Sequence, residues 1–440
     1  MNRSTQAGIC ALALMALAAC SSAPSVAPMG VSTTTTGEVP SGPRAFPGAV
    51  GYGTETVAGR GGRVIKVTSL ASEGPGTLRA ALEARGPRII VFEVGGVIDL
   101  AKKDLALREP FVTIAGQTAP SPGVTLIRGG MYIGTHDVLM QHVRFRIGDA
   151  GAAKKSGFER DVSIVGKNAY NVVVDHCSFA WGTDENLSVS GERYDGPAGT
   201  ARHVTLSNNI IAQGLYDGPH TKGRHSMGTL IHDNVQEVAV IGNLYAHNND
   251  RNPWFKANGT GVVVNNFIYN PGTWAVRVGY NPKEWEGRTL SGAPSISVVG
   301  NVLQYGANTA GNVALVGSGF NNGNAYVDDN IALDRSGRAV AQTGPGVTRL
   351  QTAPSWVAGL SPLPASSVRE SVLVRAGARP RDRDAVDDKL IADVRAGKGS
   401  RIDSQDEVGG YPSAVPVVRR LDVPATGVDE WLAQMTREVE

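Results

Sequence analysis

A right-handed parallel β-helix over about residues 46–345 is the fold the sequence predicts, and three observations predict it. Seven short segments alternate apolar residues, pass through a small polar corner residue, and resume with more apolar positions: Val138 to Phe145, Val172 to Phe179, Val204 to Ile211, Val238 to Tyr245, Gly261 to Ile268, Ile296 to Leu303 and Ala325 to Ala332. Their corners, taken as His142, Cys177, Asn209, Asn243, Asn266, Asn301 and Asn330, are spaced 35, 32, 34, 23, 35 and 29 residues apart. Repeats of that length mark a solenoid, and period-two alternation marks strands with one face inward. Five of the seven corners are asparagine, as expected where identical side chains stack from coil to coil and share hydrogen bonds. Finally, glycine supplies 55 of 440 residues, well above the average of about 7 % and suited to a chain with many turns. A propeller fits less well, because each unit is shorter than the roughly 40–45 residues of a four-stranded blade.

The N-terminus has Arg3, the apolar run Ile9 to Ala19 and then Cys20, which reads as a secretory signal. An 11-residue run is too short to span a bilayer. Small residues directly before Cys20 resemble a bacterial lipobox, which implies lipidation of Cys20, and Ser21 after it implies the outer membrane. The plainer alternative is an ordinary signal followed by a chance cysteine. Residues 20–45, with Thr33 to Thr36 and four prolines, cannot build a core and are expected to be a tether. Cys177 is then the one cysteine of the folded body, so a disulfide within it and a cysteine-pair zinc site are excluded. Its valine-rich surroundings point to a buried small hydrophobe rather than a nucleophile.

An open coil end needs a cover. Thr77 to Ala84, with Leu78, Ala81 and Leu82 on one helical face, is the expected cap. The tail, 346–440, is expected to pack on the outside or far end of the coil. Within it Ala385 to Ala396 is expected to be an amphipathic helix capped by Asp384 and ended by Gly397. The charge run Arg379 to Asp388 reads as a solvated surface.

Charge is nearly balanced, 42 Lys and Arg against 40 Asp and Glu, so a general nucleic-acid binder is excluded and any charged polymer must be met by local clusters. Seven or eight positions beyond successive corners stand Asp149, Asp184, Asp217, Arg251 and Trp274. Equal offsets become neighbours in a parallel coil, so this stripe runs from acidic to basic to aromatic. Carboxylates without His or Cys partners suit calcium, and calcium beside cations suits an acidic sugar polymer. Trp274 is placed either to stack on a sugar or to pack in the core.

Three segments, Gly74 to Arg79, Asn171 to His176 and Asn249 to Lys256, resemble bacterial pectate lyases of polysaccharide lyase family 1, members of the pectin lyase-like β-helix superfamily. The tail motif Asp403 to Gly410 also resembles a bacterial branch. The resemblance implies β-elimination on a uronate polymer by a calcium-assisted monomer. It implies Arg251 as catalytic base, Lys256 and Lys222 as cations for substrate carboxylates, and Asp184 as a calcium ligand. Asp161 lies one position off the register of an early ligand, with Glu159 beside it. Where the family has another carboxylate, four residues past Asp184, this chain has Ser188; Glu185, Asp149 or Asp217 would have to compensate. Asp175 and His176 are expected to be structural. Two other readings remain at this stage: a polygalacturonase-type hydrolase, for which Asp328-Asp329 is the adjacent acid pair, and a non-catalytic polysaccharide-binding lipoprotein.

Overall fold

The computed structural model describes residues 43–440, residue 291 excepted. The expected signal peptide, Cys20 and the tether as far as residue 42 lie outside the described residues.

Among the described residues three sheets wind into one β-helix, all strands pairing parallel except Val417–Val418 of the tail, which joins the third sheet antiparallel to Val94–Asp99. The first has eleven strands, from Arg63–Val67 to Val347–Arg349, the second has eight and the third ten. Residues 63–349 therefore carry the coil, a little displaced from the expected 46–345. The repeat pattern explains why the coil closes. Val138, Val172, Val204, Val238, Gly261, Ile296 and Ala325, the first residues of the seven segments, are mutual partners in the first sheet. Phe145, Phe179, Ile211, Tyr245, Ile268, Leu303 and Ala332, each segment's last residue, form a column in the third sheet. Gly261 apart, both columns are part of one buried core, so each side chain completes the packing of the coil above and below it.

At the corner between these sheets the asparagines form a ladder. Asn209, Asn243, Asn266 and Asn301 each donate from Nδ2 to the Oδ1 of the next, at 2.9–3.0 Å, ending on Asn330. Cys177 heads the ladder, its backbone N–H donating to Asn209 Oδ1 at 2.8 Å. It is buried and free, and burial pushes its thiol pKa up, as befits a packing residue. One corner was misplaced by the spacing argument: Arg144 pairs with Ser178, so Val143 aligns with Cys177 and His142 with His176. Replacing Asn243 by alanine removes the acceptor of the Asn209 side chain and backbone N–H and two donated bonds, with loss of about 3 kcal/mol expected. Asn330→Ala, at the half-buried last rung, is expected to cost less than half as much in denaturant unfolding.

The cap is α1, Leu78–Glu83, with Thr77 accepting the Ala80 N–H and Leu78, Ala81 and Leu82 buried. Residues 43–45, expected to belong to the tether, are instead held against the coil, Ala45 N–H donating to Thr54 O at 2.7 Å. The tail wraps the outside of the coil. Helices α2, Ala365–Arg375, and α3, Ala385–Arg395, bury Val368, Val372, Leu390 and Val394 against Ile210, Leu244 and Phe267 of the third sheet. Asp384 caps α3 as expected, and Gly397 takes the left-handed conformation beyond its end. A fourth helix, α4, Val428–Val439, places Leu432 against Ile89, Val91 and Ala115 of the first sheet.

The charge run Arg379 to Asp388 is not a solvated surface. Arg144 and Arg146, fully buried on the coil, face Asp384 and Asp387 at the start of α3, with Arg146 Nη2 2.7 Å from Asp387 Oδ1. Ser178 Oγ donates to the other Asp387 oxygen at 2.7 Å.

Candidate active site

The second sheet positions the site. Ser163, Ser188, Leu230, Trp254, Arg277 and Gly317 are in register across six successive strands. Just before these strands the chain turns in from loops, and there it presents Asp161, Asp184, Asp250 and Arg251.

Arg251 takes a left-handed backbone conformation, φ 63°, and its side chain is largely buried. Glu185 meets Nη1, and the Trp254 ring lies 5.4 Å from the guanidinium. Nε is buried without a partner. Burial is the main force pushing the Arg251 pKa down to about 10; Asp184 and Glu284 oppose it, and the neighbouring Arg277 cation adds to it. Arg277 pairs with Asp250 at 2.5 Å and lies 4.0 Å from the Trp254 ring and 5.0 Å from that of Trp274.

On the acidic side, Ser188 Oγ donates to Asp161 Oδ2 at 2.5 Å. Burial, with the charge of Asp184 beside it, pushes Asp161 up to about 7 against its serine hydrogen bonds. Burial also raises Asp184, but the His225 hydrogen bond and surrounding positive charge, Arg251 included, outweigh it and hold this carboxyl below its ordinary value. His225 Nε2 is 2.9 Å and His220 Nε2 3.3 Å from the same Asp184 oxygen. Two neighbouring carboxyl groups and a hydroxyl, with no cation paired to the half-buried Asp161 among the described residues, fit a hard divalent cation. The premise of a cluster free of histidine was wrong: the sequence separates His220 and His225 from Asp184 by a full coil.

Other expected ligands are engaged elsewhere. Asp149 accepts from Ser404 Oγ at 2.9 Å and Gln405 Nε2 at 3.1 Å, so the tail motif is a capping turn seated on that loop. Asp217 pairs with Lys154 at 2.8 Å. Glu159 Oε1 accepts both the backbone N–H and the hydroxyl of Thr221, which fixes the following loop rather than an ion. Equal offsets failed here because loops between strands differ in length and the tail competes for their carboxylates.

Lys256 is also not where its expected role requires. It is buried between Asp233, at 3.3 Å, and Glu284, at 2.7 Å, and two carboxylates already neutralise it. Lys222, by contrast, is exposed on the loop that carries His220 and makes no ion pair among the described residues. Trp274 is half-buried, and a Cβ on Gly317 would come within 2.5 Å of its ring, so it packs closely on the neighbouring coil while keeping an exposed part. Asp175, fully buried, accepts from Gln141, Ser207 and Asn208 and pairs with His176, and is structural as expected. Of the Asp328-Asp329 pair, Asp329 holds the first N–H of α2, and both acids are exposed beside the tail, far in register from Arg251.

No protein-family model matches the chain. Two curated relatives named "Probable pectate lyase C" do: that of Neosartorya fischeri is 33 % identical over 380 residues and that of Aspergillus flavus 34 % over 380, each alignment covering 83 % of this chain and 81 % of the relative. The chain belongs to the pectate lyase family. These relatives are fungal, so they support the pectate lyase family but not the bacterial branch of it that the motifs resemble. Among solved structures, the cedar-pollen allergen jun a 1 aligns with a TM-score of 0.55 at 18 % identity, covering 75 % of this chain and 92 % of the allergen. The thermostable pectate lyase PL 47 aligns at 0.52 with 15 % identity, covering 75 % and 96 %. These likenesses place this pectate lyase family member on the same right-handed parallel β-helix. Arg277, His220 and His225 are the residues sequence reasoning missed, and Glu185, expected as a substitute ion ligand, pairs with Arg251 instead. Arg277 alone left a signal, a charge between the buried Val276 and Val278.

Proposed function

We propose that this chain cleaves pectate by β-elimination, with Arg251 as the base. The observation that carries the reading is Arg251 itself, a largely buried guanidinium with a depressed pKa, under the influence of a second cation, Arg277, and of the acid Asp184, which in turn neighbours Asp161. In the reaction Arg251 takes the proton from C5 of a uronate, the electron pair forms the C4=C5 double bond, and the C4–O4 bond breaks. Water protonates the departing oxygen, and Arg251 returns the C5 proton to solvent. Lys222 holds a substrate carboxylate. Asp161 and Asp184, with the Ser188 hydroxyl, are the residues that would hold calcium, which when bound withdraws charge from the C6 carboxylate and so acidifies the C5 proton. Glu185, in contact with Nη1, orients the guanidinium. The product chain carries a new non-reducing end with an unsaturated ring.

Incubating the protein with polygalacturonate and following ultraviolet absorbance is expected to show unsaturated product, diminished by a calcium chelator. A folded protein that yields none on any uronate polymer would leave the binding-lipoprotein reading in its place. Ser188→Asp restores a charged ligand and is expected to tighten calcium binding about tenfold or more, since affinity follows ligand charge; unchanged calorimetric affinity would put the ion elsewhere. Export and lipid attachment at Cys20, to an outer membrane, complete the proposal. They are supported by the N-terminal apolar run and the small residues before Cys20. Cys20→Ala is expected to release the protein from the membrane fraction.

A further inference from the structure

We propose that His220 and His225 are positioning residues that clamp one oxygen of Asp184 and lock the Lys222 loop to it, so that ion ligand and substrate cation are set as one unit. The inference rests on Asp184 being an ion ligand, as proposed above.

Both rings are buried, and they stack with centroids 3.8 Å apart and planes 18° from parallel. Both Nε2 atoms face Asp184 Oδ1. The backbone N–H of Lys222 donates to His220 Nδ1 at 3.0 Å. Nδ1 therefore uses its lone pair there, and Nε2 carries the proton. His220 thus turns its Nε2–H to Asp184 Oδ1 at 3.3 Å, a charge–dipole contact beside the His225 hydrogen bond, and has no lone pair free for an ion. Near-parallel rings also aim their Nε2 atoms side by side at one oxygen instead of converging on an ion from two directions. Oδ1 is occupied by the pair, which leaves Oδ2 to the ion.

The same contacts fix the loop. His225 N–H donates to Tyr216 O at 2.6 Å, Gly223 N–H to His220 O at 2.9 Å, and Thr221 is held by Glu159. Lys222 thus projects from a turn whose two flanking histidines are both anchored on Asp184. Supports of this kind around an ion ligand are commonly worth a factor of about 10–100 in ion affinity.

The test is calorimetric titration of the folded protein with calcium, alongside KM for polygalacturonate at saturating calcium. His225→Ala is expected to weaken calcium binding about 10–100-fold, and His225→Gln, which retains an N–H near the Nε2 position, to recover most of it. His220→Ala is expected to raise KM several-fold with a smaller change in kcat. Wild-type binding matched by both alanine variants would overturn the clamp while leaving the calcium ligands standing. Failure of glutamine to rescue would assign His225 to packing alone and overturn it as well. Wild-type protein that binds no calcium would overturn the underlying reading, and the clamp with it.

Discussion

Replacing Arg251 by alanine is expected to lower kcat on polygalacturonate by about three orders of magnitude with little change in KM. A positioned general base contributes about 10²–10⁴-fold, and substrate is held chiefly by Lys222 and by the acidic side of the site, which the substitution leaves in place. An ordinary arginine would be a poor choice, because its pKa lies above about 12. Here burial brings the guanidinium to about 10, and the Arg277 cation contributes. Below that value the neutral fraction grows about tenfold for each pH unit, so kcat/KM is expected to climb with a slope near one between about pH 7 and 9 and to flatten near 10. Arg277→Gln keeps a hydrogen-bond donor for Asp250 but removes the neighbouring charge. It is expected to move the rising limb to higher pH, because the charged form of Arg251 is then less disfavoured. A flat profile over that range, or full turnover in Arg251→Ala, would take the base role away from Arg251.

The periodic part of the molecule was legible because its physics is periodic. Every segment start, from Val138 to Ala325, stands in one column, and the asparagines found by spacing do share hydrogen bonds from coil to coil. Local signals were equally good guides, as the buried face of α1, Leu78, Ala81 and Leu82, and the capping aspartate of α3 show. What spacing could not provide was the conformation of insertions. The 147–161 and 213–226 stretches leave the coil and return to it, so offsets counted along them lost Asp149 to the tail and Asp217 to Lys154, and missed the two histidines on Asp184. Lys256 failed for another reason: its motif position was right, but Asp233 and Glu284 arrive from other coils to neutralise it. The tail's charge run was misread because its partners lie far back in the chain, 241 residues away in the case of Arg146 and Asp387. Mixed-sign charge looks solvated until its opposite number is known.

That network carries the largest expected effect on stability: Asp387→Ala should cost about 3–5 kcal/mol, the usual cost of removing one partner from a buried ion pair. Asp387 is almost completely buried, with Arg146 on one oxygen and Ser178 and Arg144 on the other. Without it two fully buried guanidinium groups retain a single carboxylate, Asp384, whose Oδ1 is already shared with the Asp387 backbone N–H at the start of α3, beside the backbone carbonyls that Arg144 keeps. Three losses coincide: the attraction, the hydrogen bonds, and a negative charge in the first turn of a helix, where it is favoured. On the same helix Asp393 pairs with Lys389, which is mostly exposed, and Asp393→Ala should cost less than about 1 kcal/mol. Denaturant unfolding of the two variants side by side separates burial from charge, since each removes one carboxylate from α3. Equal losses would mean that water screens the inner network as it does the outer pair. A paired replacement, Asp387→Leu with Arg146→Met, should recover much of the loss, because an apolar contact there no longer leaves a cation stranded.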